Sequence, residues 1–579
     1  MTDIAIESLL KRVQKPGRYA NGEWNAVIKD WTDVEATAVI SYPDVYEVGM
    51  SSLELQTLYQ LLNAESRVLC ERVFTPWTDM AAAMREAGLP LYSLESRRPL
   101  QAFDLVFVVL GPEHGYTNVL ESLDLAGVPV KAAERDGSAP LVVGLGSGLA
   151  NPEPLADFFD LFILGEPEGV LLELLDLFLL MKRAAGGRPH REAFLAKATR
   201  IPGVYVPSMF HAAHGGGSNA PARPVCRRIS EPVRRSSAEL RPALTRPVVP
   251  YLEALPDRGV VEVARDCGGS CRGCRAGSPC ELPRRRSVEA VVDAIDALVR
   301  SCGYREIGLQ APDGDDYEPL MEIARAVRAR YPVGELTLFL PPIQIPPDRP
   351  PDRALASAEM AFRMGWSGLR YRWVLGRPAG EGDRQIDIVQ LVALTQETGR
   401  RILGRRPKVR VEASYHRPRP QMLSERSATM PPVDELQKLQ TDLRKGLRKL
   451  GAHLSAPDPN ATEVEAALAM GDRRVANVIF QAWRLGSTFD GWSQRFDSSR
   501  WDEAFRLAGL DPDLFIRRPR SDQETMPWSH IWSSGAGEST KPANDALPAA
   551  CAEQPCPVCR YLEDDETPSP AAGAMADRC

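Results

Sequence analysis

Short, nearly continuous apolar runs alternate with amphipathic stretches along the first part of the chain. Residues 37–42, 104–110, 128–130, 141–143 and 161–164 read as strands, and residues 51–63 follow the first of them with helical spacing. Strands this apolar, with helices between them, predict a parallel, doubly wound α/β sheet covered on both faces. Ligands of such sheets lie outside the carboxyl ends of the strands. The turns Gly144-Leu145-Gly146-Ser147-Gly148 and Gly165-Glu166-Pro167-Glu168-Gly169 fall there. The most apolar stretch, 170–181, is interrupted by Glu173 and Asp176 and is too short to span a bilayer, so it reads as a buried helix.

A second alternation occupies residues 248–425. Strands are expected at 259–263, 306–309, 336–340, 369–375 and 409–413, with helices at 287–302, 318–330, 354–365 and 386–399. Repeated βα units of this length make a closed or partial α/β barrel, with functional loops at the strand carboxyl ends. Residues 426–515 then read as helical. Leu436, Leu439, Leu443, Leu447 and Leu450 form a stripe with basic residues opposite, and 461–470 and 475–485 continue the pattern. The expected organisation is a Rossmann-like unit over 1–207, a linker over 208–247, the barrel over 248–425, a helical region over 426–515 and a largely disordered tail over 516–579.

Length and composition fit this division. A chain of 579 residues is too long for one core. Its 44% hydrophobic and 25% charged residues suit an ordinary globular protein. A net charge of −7 argues against a general nucleic-acid binder. The first residues are acidic where a secretory signal needs positive charge, which predicts a cytoplasmic protein with no membrane association.

Six of the 11 cysteines are clustered, as Cys267/Cys271/Cys274 and Cys551/Cys556/Cys559, a pattern that in a reducing compartment points to metal rather than disulfides. The first trio sits on a tight loop directly after the strand at 259–263. Three thiolates so placed can hold three corners of a cubane iron–sulfur cluster and leave the fourth iron open for a substrate. Structural zinc is the alternative, with Cys280 as a fourth ligand. Cys70, Cys226, Cys280, Cys302 and Cys579 otherwise read as scattered packing residues. The spacing Gly144-x-Gly146-x-Gly148 departs from a dinucleotide fingerprint and reads as a tight turn. His211 and His214 lie in the expected linker and read as unliganded.

Further stretches point the same way. These are Pro16-Gly17-Arg18-Tyr19, Pro43-Asp44-Val45-Tyr46-Glu47-Val48-Gly49, Glu95-Ser96-Arg97-Arg98-Pro99-Leu100, Asn151-Pro152-Glu153-Pro154-Leu155 and Ile201-Pro202-Gly203-Val204-Tyr205-Val206-Pro207. Gly471-Asp472-Arg473-Arg474 and Phe489-Asp490-Gly491-Trp492 join them. Together with the C-x3-C-x2-C loop they resemble an uncharacterised group of bacterial radical S-adenosylmethionine (radical SAM) proteins with an N-terminal cobalamin-binding-like domain. The resemblance covers nearly the whole chain. It implies a [4Fe–4S] cluster on Cys267, Cys271 and Cys274, AdoMet at the open iron, and one-electron cleavage of AdoMet to start radical chemistry on a substrate the sequence does not identify. It also implies a reductant such as flavodoxin or ferredoxin, and an auxiliary metal site on Cys551, Cys556 and Cys559, with Cys579 as a candidate fourth ligand.

The chain departs from that pattern in four places. Tyr46 stands where cobalamin domains of this type place a cobalt-binding histidine, so the first unit reads as a vestigial module. Gly273 replaces an aromatic residue before the third cysteine. The turn that would meet AdoMet is Gln310-Ala311-Pro312-Asp313-Gly314-Asp315, with Gln310, Asp313 and Asp315 as candidate contacts. Between residues 340 and 354 the family's third helix and fourth strand are missing, which predicts a barrel lacking about one unit. A cluster-binding scaffold or sensor that no longer cleaves AdoMet is therefore the alternative function. Basic runs such as Arg284-Arg285-Arg286 and those between Arg400 and Arg419 allow nucleic-acid contact, but they more often form solvated faces.

Overall fold

The computed structural model describes residues 3–146, 149–211, 223–224, 232–253, 258–266, 284–312, 317–332, 334–345, 351–377, 387–421, 426, 429–518, 520–521, 524–532 and 561. It is a mixed α/β protein with two main sheets and a helical C-terminal region.

The first sheet contains β1 (Ala36–Tyr42), β2 (Val68–Phe74), β3 (Leu105–Val109), β4 (Leu141–Gly146), β5 (Leu161–Leu164) and β6 (Val204–Tyr205). Their order is β2-β1-β3-β4-β5-β6, and every pair is parallel except β5 with β6. Strands β1 to β5 are buried almost throughout, as their apolar runs require. The apolar stretch at 170–181 lies within helix Pro167–Ala185, which buries Leu171, Leu174, Leu175, Phe178 and Leu179. No helix among the described residues is long and apolar enough to cross a membrane.

Two expectations change here. Residues 128–130 form no strand. Val128 instead closes the turn after helix Tyr116–Leu125, its amide donating to the Leu123 carbonyl at 3.0 Å. Strand β2 is hidden in the sequence because Glu71 and Arg72 stand in its middle. Both are buried and both find their polar partners in residues distant along the chain. Arg72 donates to Glu23 at 3.0 and 3.1 Å and through Nε to Glu95 at 2.7 Å. Glu71 accepts from the Ser96 hydroxyl at 2.7 Å.

The second sheet is also parallel. It is split into two hydrogen-bonded pieces, one of β7 (Gly259–Glu262), β8 (Glu306–Gln310) and β9 (Thr337–Phe339), the other of β10 (Ile343–Gln344), β11 (Gly368–Leu375), β12 (Lys408–Tyr415) and β13 (His453–Ser455). Strands β9 and β10 are two halves of one run, broken at Leu340-Pro341-Pro342, where proline supplies no amide hydrogen. The first half bonds to β8 and the second to β11. Helices Val288–Cys302, Glu318–Arg330, Asp352–Arg363, Ile388–Leu403 and Val433–Lys449 alternate with the strands. The last of these buries Leu436, Leu443 and Leu447 from the expected stripe. Strand β13 lies in the stretch read as wholly helical and supplies a sixth position that the sequence count of five had missed. The arrangement is that of a partial α/β barrel.

Candidate functional site

The cysteine loop springs from the carboxyl end of β7. Ala264–Arg265 pairs antiparallel with Arg284–Arg285, so the chain leaves and returns at one point. Asp266 adopts a left-handed conformation (φ 61°), turning the chain out of this neck, and ion-pairs with Arg284. Cys267, Cys271, Cys274 and Cys280 lie between the two sides of the neck, outside the described residues.

The neck is tied to the first sheet. Glu166 and Glu168 follow β5 at its carboxyl end. Arg265 donates to Glu168 at 2.9 Å and to Glu262 at 2.9 and 3.1 Å, while Arg284 pairs with Glu166. Hydrogen bonding to Glu166 raises the Arg284 guanidinium above its ordinary value, so it stays charged. Gly165 allows a close approach here. At φ +94° its place for a Cβ would lie 2.2 Å from the Ser236 carbonyl oxygen. The carboxyl edges of the two sheets thus meet at the foot of the loop.

A second polar cluster fills the crevice between β1 and β3, where strand order reverses and a doubly wound sheet binds its ligand. Residues that come late in the chain occupy it. The Trp492 indole donates to Asp44 at 3.0 Å, the Phe489 amide to Asn118 at 2.7 Å, and His114 bonds Glu465 at 2.6 Å. Arg417, just past β12, reaches Glu113 and Glu465 at 3.5 Å. A Cβ on Gly491 would lie 2.5 Å from His114 Nε2. Of these residues His114 and Glu465 carried no local sequence signal, because they are 351 positions apart, and Arg417 was legible only as part of a basic run.

This crevice does not fit a corrin. Trp492, Phe489 and Glu465 stand over it, and Tyr46, at the cobalt-ligand position, is fully buried. Its hydroxyl donates to Glu23 at 3.1 Å and accepts from the Tyr251 amide at 3.0 Å. Adding hydroxocobalamin to the protein is therefore expected to leave no corrin absorbance after gel filtration. Stoichiometric retention would show that the crevice opens.

The same cluster titrates. Burial pushes the Asp490 carboxyl up to about 6 against the opposing Trp501 indole, and among the described residues neither of its oxygens makes a well-formed hydrogen bond. Burial works against the charge on His114, but Glu465 overcomes it and raises the imidazole. Asp44 is raised by burial, Glu465 is held low by His114 and Arg417 against burial, and Arg495 and Arg500 also face Asp490. A raised folded-state value stabilises below the unfolded value and is lost as pH rises through the folded one. For Asp490 that window runs from 3.8 to about 6; for His114 it lies above 6.5. The Asp490 contribution to stability should therefore fall by about 2 kcal/mol between pH 4.5 and 8, while the lowered, buried His416 and His530 contribute in the opposite direction. Urea unfolding followed by tryptophan fluorescence reads this as a difference: wild type minus Asp490→Asn should decline over that range. An unchanged slope in that variant would place the titration elsewhere.

Among the other expected residues, Gln310 is exposed at the end of β8. Asp313 and Asp315, Cys551, Cys556, Cys559 and Cys579, and His214 lie outside the described residues. His211 is exposed and ends the two-residue strand Phe210–His211, whose Phe210 is buried. Gly144 and Gly146 lie within β4 rather than in a turn after it, and Gly148 is outside the described residues. Among the described residues no group of three or more histidines, cysteines or acids is placed to hold a metal.

Residues 54–207, which carry β2 to β6, match the family described as radical SAM proteins, N-terminal. An uncharacterised protein of Methanocaldococcus jannaschii is 22% identical over 480 residues, covering 76% of this chain and 90% of the relative. These similarities support a place for the chain in the radical SAM superfamily.

Proposed function

We propose that the protein is a radical AdoMet enzyme in which Cys267, Cys271 and Cys274 hold a [4Fe–4S] cluster with one iron open to AdoMet. The observation that carries this reading is the neck. It brings both ends of the cysteine loop together at the carboxyl end of the first strand of a parallel βα series, and three thiols within eight positions on that loop suit a cubane. When bound, the cluster and AdoMet supply one-electron cleavage of a carbon–sulfur bond. The chain's own residues hold the geometry. Arg265 and Arg284 fix the loop's foot against Glu166, Glu168 and Glu262, and Gln310 stands at the same edge, available to the amino-acid end of AdoMet. Cys551, Cys556 and Cys559 are proposed as an auxiliary metal site. A flavodoxin or ferredoxin is the proposed reductant, and an oxygen-sensitive cluster suits the reducing cytoplasm.

Anaerobic reconstitution with iron and sulfide, followed by dithionite and AdoMet, tests the reading. The expected result is an AdoMet-dependent change in the cluster's electron paramagnetic resonance signal together with release of 5′-deoxyadenosine. A cluster that forms yet releases none would instead mark a scaffold or sensor.

A further inference from the structure

The face of the second sheet turned away from its helices carries an unusual concentration of cations. On β11 and β12, Leu369, Tyr371, Val409 and Val411 are buried against the helices, and the Tyr371 hydroxyl bonds Thr395 of helix Ile388–Leu403 at 2.6 Å. The alternate positions therefore face inward. They are Arg370 and Arg372 on β11 and Lys408, Arg410 and Glu412 on β12.

Arg370 stands directly beside Arg410 in the parallel register. Like charges side by side on neighbouring strands oppose folding. Glu412 is shared between Arg370 at 3.2 Å and Arg372 at 3.5 Å, and among the described residues Arg410 has no carboxylate or hydrogen-bond partner. The second Arg370 nitrogen donates to the Leu340 carbonyl at 3.0 Å, at the break between β9 and β10. Phe339 precedes that break. The guanidinium of Arg258 lies 3.6 Å from the Phe339 ring centroid, with its Nε buried and, among the described residues, unbonded. Arg258, Phe339, Leu340, Arg370 and Arg410 thus line the inner face together, where cations outnumber the nearby carboxylates Glu306 and Glu412.

We propose that this lining binds the phosphate end of an elongated small-molecule phosphate ester, the substrate of the chemistry at the cysteine loop. Several planar guanidinium groups match the several acceptor oxygens of a phosphate better than a single carboxylate. Arg258 precedes Glu262, at the carboxyl edge, by four strand positions, or about 13 Å. The ligand therefore spans the inner face, with its anion held below and its reacting part near the neck. A long polyanion is disfavoured by the protein's net charge of −7. The assignment rests on the reading of the second sheet as the reaction chamber, but anion binding needs no cluster. Its test uses full-length protein without reconstitution, so failure of cluster chemistry leaves it unaffected.

Inorganic tripolyphosphate is titrated calorimetrically at low salt and again at 0.15 M salt. Wild type should bind one equivalent, more weakly at the higher salt. The Arg258→Gln/Arg410→Gln variant should bind at least tenfold more weakly, with a melting temperature unchanged or raised. Arg183→Gln, in the exposed pair with Glu35, should bind as wild type. Absence of wild-type binding, or equal binding by the double variant, overturns the proposal. Arg410-dependent binding of single-stranded RNA tighter than tripolyphosphate overturns the small-molecule class.

Discussion

Cys271→Ala protein, reconstituted anaerobically, should lose cluster iron and release 5′-deoxyadenosine more than about a hundredfold more slowly than wild type. That exceeds the 10–100-fold typical of losing a group that merely supports a metal ligand. Cys271 supplies one of three thiolates, and a cubane left with two protein ligands dissociates or converts. The control is built into the fold. Cys70 is fully buried in β2, where burial pushes its thiol well up, and Cys302 is half-buried and likewise raised by burial. A thiol kept protonated is a poor metal ligand, so Cys70→Ala and Cys302→Ala should keep iron content and AdoMet cleavage. If Cys271→Ala retained its iron, the loop would not be the cluster site.

Arg72→Met should destabilise the first sheet by about 3–5 kcal/mol, the cost of leaving a buried charge without its partner. Arg72 and Glu23 have no exposed side-chain surface and Glu95 has almost none. Arg72 serves both carboxylates at once, its backbone amide also donates to Glu95 at 2.7 Å, and its guanidinium lies over the Tyr59 ring. A similarly shaped apolar side chain fills the space but leaves two carboxylates in a dry interior. Removing those charges as well, in Arg72→Met/Glu23→Gln/Glu95→Gln, should recover much of the loss. The urea midpoint of the phase reporting the first sheet measures both variants. A loss below about 1 kcal/mol for Arg72→Met would show that water reaches the site.

This triad also explains what could and could not be read in the sequence. Apolar runs located β1, β3, β4 and β5, because burial on both faces demands side chains that need no partner. Strand β2 escaped the same test because Arg72 and Glu71 are satisfied only by residues outside the run. Strand β13 escaped because it is three residues long and its partner, β12, precedes it by a whole helix. At the candidate site the cysteine spacing and the acidic turn at Glu166 and Glu168 were legible, since each is local. The filling of the β1–β3 crevice was not. It depends on Asp44 meeting Trp492 and on His114 meeting Glu465, contacts with no periodicity to announce them.

That crevice sets a timetable for synthesis. Asp44 and Trp492 are separated by 448 positions. At about 5–20 residues per second, the partner leaves the ribosome roughly 20–90 s after the acid it covers. Once its strands have emerged, and until Trp492 follows, the nascent sheet exposes the Asp44, His114 and Asn118 edge, with no later segment yet available to cover it. Chaperones that hold nascent chains should therefore engage this protein through its first sheet, and release it only when the stretch through Trp492 has emerged.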